Sequence, residues 1–176
     1  AGPSAALFEK TWKSDLSSYD FVWSCNNYYK ADFLKDINFD LVSVGNEVNY
    51  SDPALLQRIE SNPDCIYGFE TNIFRSGPEF SNLLSTLENR SFFYATRFFG
   101  KIGSIPRLLI LATKLGPKKI SFVGMDGVPP PENIDNTPAT VFELKNPRGP
   151  TDYDLYRKHF VLLWDYIHNN INKRKE

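Results

Sequence analysis

Residues 103–127 read GSIPRLLILATKLGPKKISFVGMDG, and the order of signals in this stretch decides the fold class. Ser104 and the early Pro106 open a run of apolar and small residues with helical spacing, and Gly116-Pro117 stops it. After a short charged turn, KISFVG at 119–124 is the clearest strand pattern in the chain, rich in Ile, Phe and Val and closed by glycine. A helix followed directly by a buried strand is half of a crossover unit.

The same alternation extends in both directions. Residues 20–25 (DFVWSC), 40–45 (DLVSVG) and 65–69 (CIYGF) read as short buried strands. Between them, 52–61 (DPALLQRIES) has an Asp at the N-cap position and Pro at the first helical position. Residues 152–172 form a long amphipathic pattern, with Leu155, Phe160, Leu163, Trp164 and Ile167 at helical spacing. Strands alternating with helices predict crossover connections and a mainly parallel sheet. The chain of 176 residues suits a single α/β domain of nucleotide-binding type, with 127–151, dense in Pro and Asn, as a lid, binding loop or loop insertion.

Composition excludes several classes. Lys+Arg 20 against Asp+Glu 21 gives a net charge of −1, so no general field draws the chain to nucleic acid or anionic lipid. The basic end Lys173-Arg174-Lys175 reads as a solvated helix end. No apolar run reaches the roughly 18 residues of a membrane span, and no signal peptide is visible, so a cytoplasmic location is expected. Cys25 and Cys65 lie in apolar stretches and read as two buried thiols. HExxH, CxxC, GxSxG and GxxxxGK[ST] patterns are missing from the sequence, which leaves metalloprotease, zinc, hydrolase and P-loop chemistry without support. His159 and His168 fall inside the last predicted helix and read as packing residues.

Three places are candidates for chemistry. Ala1-Gly2-Pro3-Ser4 precedes a helix-compatible segment, where backbone N–H groups and the helix dipole suit a phosphate; the alternative is a frayed terminus or cleavage scar. No strand precedes this loop, so either the chain begins inside the domain or the fold lacks its first strand. Asn26-Asn27 follows a buried strand, where side-chain amides can hydrogen-bond a base or ribose, or close an Asx turn. Gly124-Met125-Asp126-Gly127 puts a carboxylate between glycines at a strand terminus, fit for a ribose hydroxyl, a metal or a base, or for a plain tight turn.

Three segments in order carry a family resemblance: GPS at 2–4, YDFVWSCNNYYKADF at 19–33, and the 103–127 stretch ending in G-x-D. They resemble the bacterial CMP-sialic acid-dependent sialyltransferases of glycosyltransferase family 42. They are also similar to the wider group that includes the archaeal 6-hydroxymethylpterin diphosphokinase-like proteins. The resemblance implies an α/β, Rossmann-like open sheet, mainly parallel and flanked by helices. It implies a phosphate loop at Gly2, Pro3 and Ser4, a nucleotide contact at Asn26, with Asn27 beside it, and a donor contact at Ser104. Gly124 and Asp126 would line the nucleotide pocket. The family's general base is a His in the loop after the G-x-D strand; here Pro147 stands near that place, beside Arg148. Asp126 and Arg148 are therefore the catalytic candidates, with Glu143 and Asp152 as further carboxylates.

The function expected is that of a nucleotide-sugar glycosyltransferase, CMP-sugar dependent, in surface-polysaccharide synthesis, taking a nucleotide-sugar donor and a glycan acceptor as substrates. No cofactor and no metal ion are expected. The alternatives are a non-catalytic nucleotide-binding module and a pterin diphosphotransferase, which would need Mg²⁺ and several carboxylates. FFYATRFFG at 92–100 reads as core, an oligomer face or an acceptor platform.

Overall fold

A computed structural model of the chain describes residues 4–45, 47–71, 76–99, 102–125 and 150–171. They divide into two compact units, one of Lys13–Ala95 and one of Ala1–Trp12 with Thr96–Glu176.

The Lys13–Ala95 unit is built on four strands: β1 (Trp23–Cys25), β2 (Leu41–Ser43), β3 (Ile66–Glu70) and β4 (Ser91–Tyr94). All pair in parallel in the order β1-β2-β3-β4, with Cys25 opposite Ser43, Ser43 opposite Gly68, and Glu70 opposite Tyr94. This is the open, parallel α/β sheet expected from the sequence. A pair of 3₁₀ turns, Tyr28–Lys30 and Asp32–Leu34, joins β1 to β2. Helix α3 (Pro53–Ser61) joins β2 to β3, and α4 (Pro78–Leu87) joins β3 to β4. Parallel crossovers are right-handed, so strands laid down in sequential order place all three connections on one face. The ring contacts agree: Phe69 of β3 meets Phe80 of α4 with centroids 5.3 Å apart, and Tyr67, on the same face, meets Tyr28 hydroxyl to hydroxyl at 3.0 Å.

Local signals explain these elements. Asp52 caps α3 by accepting the Ala54 N–H at 3.0 Å, with Pro53 preset for the first turn. Leu55, Ile59, Tyr67, Phe69 and Leu87 are fully buried, each stabilising the unit by about 1.5–3 kcal/mol. Two arginines gather the carbonyls that the helical turns leave over. Arg90 donates to Ile59, Asn62 and Pro63 at the end of α3, and Arg58 to Leu34, Lys35 and Ile37 after the second 3₁₀ turn.

In the other unit, α1 (Ser4–Leu7) leads into α2 (Glu9–Asp15), within which the unit boundary falls. Helix α5 (Ser104–Leu115) ends on Gly116 in the left-handed conformation (φ 73°), as the Gly-Pro stop predicts. Helix α6 (Pro150–Tyr166) continues into a π-helical turn, Ile167–Ile171. Phe98, Ile102, Leu109, Ile110, Leu163, Ile167 and Ile171 form the core. Thr96, 1% exposed, ties the elements together: its carbonyl accepts Lys114 Nζ at 3.0 Å and the Tyr166 hydroxyl at 2.8 Å, and its hydroxyl takes Arg107 Nη1 at 3.2 Å.

The strand expected at 119–124 is not formed. Residues 119–124 are irregular, and Ile120, Phe122 and Val123 are 36%, 47% and 40% exposed. Strand propensity measures fit to a pleated, half-buried surface, and among the described residues no strand pairs with this segment. Helix α4 and strand β4 fall in stretches whose sequence predicts no element. The aromatic run at 92–100 divides: Tyr94 and Phe98 are buried, whereas Phe93 and Phe99 are 55% and 91% exposed.

Candidate functional site

In the Lys13–Ala95 unit β1 and β2 end level at Cys25 and Ser43, while β3 and β4 continue past Gly68 and Phe92 to Glu70 and Tyr94, so the four carboxyl ends lie along one edge of the sheet, its rim, in two steps. Sequential order contains no reversal and hence no switch-point crevice between these four strands. The rim is shaped by the turn after β1. Asn26 adopts φ 50°, a left-handed conformation that Asn tolerates better than most residues. Its N–H donates to the Ser43 carbonyl at 2.8 Å, its Oδ1 accepts the Gly45 N–H at 2.8 Å, and its Nδ2 donates to Glu47 Oε2 at 2.8 Å.

Asn26 therefore brackets the end of β1 to the end of β2 and holds a carboxylate. Gly45 is needed for this approach, since a Cβ there would lie 2.8 Å from Asn26 Oδ1. Beside it, Asn27 Oδ1 is buried and has no hydrogen-bond partner among the described residues. The two tyrosines that follow are anchors. Tyr28 is buried, its hydroxyl pushed up to about 12 by burial, and Tyr29 donates to Asp52, which also pairs with Lys30 at 3.3 Å. Deeper along the rim, Ser43 Oγ and the Tyr94 hydroxyl lie 2.7 Å apart, and Glu70 is 2% exposed.

No family model, no curated protein and no solved structure matches this chain.

The residues singled out by sequence fall in three groups. Asn26 and Asn27 stand together at the rim, the amide of Asn26 engaged by Gly45 and Glu47. Ser4, Ser104 and Gly124 belong to the other unit: Ser4 opens α1, Ser104 opens the twelve-residue α5 behind Gly103 (φ 75°), and Gly124 is buried with φ 72°. Gly2, Pro3, Asp126, Glu143 and Arg148 lie outside the described residues, as do 127–149 of the expected lid; Asp152 lies in α6 with its side chain undescribed. Sequence reasoning takes Gly45 only as the end of the 40–45 strand pattern and passes over Glu47. The signal was present as Gly-Asn-Glu directly after the apolar LVSV run.

Both cysteines are free thiols, Cys65 buried and Cys25 partly so. Among the described residues, no group of three or more His, Cys, Asp or Glu side chains is placed to hold a metal ion, and no helix is long and apolar enough to cross a membrane.

Proposed function

We propose that the chain binds a nucleotide at the carboxyl rim of its parallel sheet and acts as a CMP-sugar-dependent glycosyltransferase. The observation that carries this reading is the bracket at Asn26, which gathers amide and carboxylate groups at the ends of two adjacent parallel strands. Ligands of open α/β sheets bind outside the carboxyl ends of the strands, and although these four strands have no switch point, their carboxyl edge is the one that Asn26 shapes. The sugar-nucleotide assignment is supported by the resemblance of the three ordered segments, one of which contains Asn26.

In the transfer, an acceptor hydroxyl attacks the anomeric carbon as the bond to the phosphate oxygen breaks. CMP departs with the electron pair, and a carboxylate takes the hydroxyl proton. The sequence offers Asp126, Glu143 and Asp152 as candidates for that role and Arg148 as a candidate cation for the leaving phosphate, all from the family resemblance alone. The lack of histidine in 127–151 favours a second reading, binding without turnover.

Calorimetric titration with CMP, CDP, UDP, GDP and ATP, followed by assay of CMP release from a CMP-sugar, tests both. Preference for CMP with release supports the transferase, and preference without release supports the binding module. Failure to bind any of the five removes the nucleotide reading.

A further inference from the structure

We infer that Glu47 recognises the ribose diol of the bound nucleotide, an assignment that rests on the nucleotide reading above. Glu47 stands just past the carboxyl end of β2, exposed, with Asn26 Nδ2 on its Oε2 at 2.8 Å. A carboxylate offers about four acceptor positions, and this bond uses one. A free surface glutamate loses rotamer freedom on being fixed. Here the Asn26 amide, itself held by the Gly45 N–H and by a backbone bond to Ser43, has already restricted it.

The chemistry narrows the ligand group. A carboxylate repels phosphate, so the phosphate end of a nucleotide lies away from this corner. What a carboxylate accepts well is a pair of adjacent hydroxyls, each giving a charge-assisted hydrogen bond to one oxygen. In doubly wound sheets an acidic side chain past a strand end bonds the ribose hydroxyls, and the same pairing of carboxylate with diol is open to Glu47 although these four strands have no switch point. The cytosine amino group is the competing donor, but it presents a single nitrogen to a two-oxygen acceptor. Asn26 is in this scheme a positioning residue, and Glu47 determines specificity for ribo- over deoxyribonucleotides.

The test compares CMP, 2′-deoxyCMP and UMP by calorimetry on the wild type and on Glu47→Gln, with melting temperatures as a check on folding. Expected is a loss of about tenfold or more in affinity from CMP to 2′-deoxyCMP in the wild type. In Glu47→Gln that ratio falls toward one while the melting temperature holds. Equal wild-type affinities for CMP and 2′-deoxyCMP overturn the assignment and leave the nucleotide reading standing. So does an unchanged ratio in Glu47→Gln. If Glu47→Gln instead abolishes discrimination between CMP and UMP alone, Glu47 reads the base and the ribose assignment falls. A wild type that binds none of the three overturns both readings.

Discussion

The Tyr94 hydroxyl on β4 lies 2.7 Å from Ser43 Oγ on β2, so one side chain crosses the full width of β3, and it does so over Gly68. A Cβ at Gly68 would stand 3.0 Å from the Phe92 ring and 3.2 Å from that of Tyr94. Gly68→Ala is therefore expected to force both rings away and to destabilise the protein by about 1–3 kcal/mol. Denaturant unfolding measures it; a change below about 0.5 kcal/mol would mean the rings shift at no cost.

At the rim, backbone strain and side-chain bonding can be separated at one position. Asn26→Gly keeps the left-handed backbone and deletes the amide, whereas Asn26→Ala deletes the amide and adds strain. Asn26→Ala should be less stable than Asn26→Gly by about 1 kcal/mol. Both should weaken CMP binding similarly, because both release Glu47. Equal stabilities would argue that the turn relaxes out of the left-handed region.

How much of this was legible depended on whether a signal was local. The Asp52-Pro53 start of α3 and the Gly116 stop of α5 are decided by one or two residues and were read correctly. KISFVG was misread because a strand exists only when another strand accepts it, and composition does not say whether one does. Conversely β4, at Ser91–Tyr94, sits in an aromatic run whose residues divide between buried and exposed, which blurs the alternation that marks a strand. At the site, Asn26 was visible as a polar residue after a strand, but its partner Glu47 is 21 positions away and meets it only through the β1–β2 pairing.

Arg90 offers a test of carbonyl capping. Its Nη1 lies 3.2–3.3 Å from the carbonyls of Ile59, Asn62 and Pro63. Arg90→Ala should cost about 1–3 kcal/mol, as those carbonyls lose a charged donor. Arg90→Lys should recover only part of the loss, because an ammonium lacks the rigid fork of the guanidinium. Full recovery by lysine in urea unfolding would reduce Arg90 to a point charge.

Asp52 gives the acid limb of the stability profile. Partial burial alone would raise its pKa, but hydrogen bonds from the Ala54 N–H, the Tyr29 hydroxyl and Lys30 bring it below the ordinary aspartate value. A carboxyl lowered in the folded state stabilises the fold at pH above its unfolded value, about 3.9. That contribution is lost as pH falls through the folded value. Asp52→Asn preserves a good N-cap and removes the titration, so its stability should decline less steeply than the wild type's below pH 4. Parallel acid limbs would show that other carboxylates control acid unfolding.

The alkaline limb belongs in part to the thiols. Burial pushes Cys25 up to about 11, with the Glu47 carboxylate adding to the rise. Burial likewise pushes Cys65 up to about 11, against the opposing effects of the Tyr67 hydrogen bond and the Arg90 charge. The unfolded thiol titrates near 8.5. Each group therefore stabilises the fold fully below that value, and the contribution is lost as pH rises toward about 11. Reactivity follows from the same shift, since only the thiolate attacks. At pH 8 roughly one native thiol in a thousand is ionised at a pKa of about 11, against about a quarter in the unfolded chain. Labelling by an aromatic disulfide at pH 8 should thus be slow in the native protein and fast in urea. Replacing Cys65 by Ala should flatten the stability decline between pH 8.5 and 11. Rapid native labelling of Cys25 would show its sulfur to be accessible and ionised, and an unaltered alkaline decline in Cys65→Ala would assign that limb to other groups.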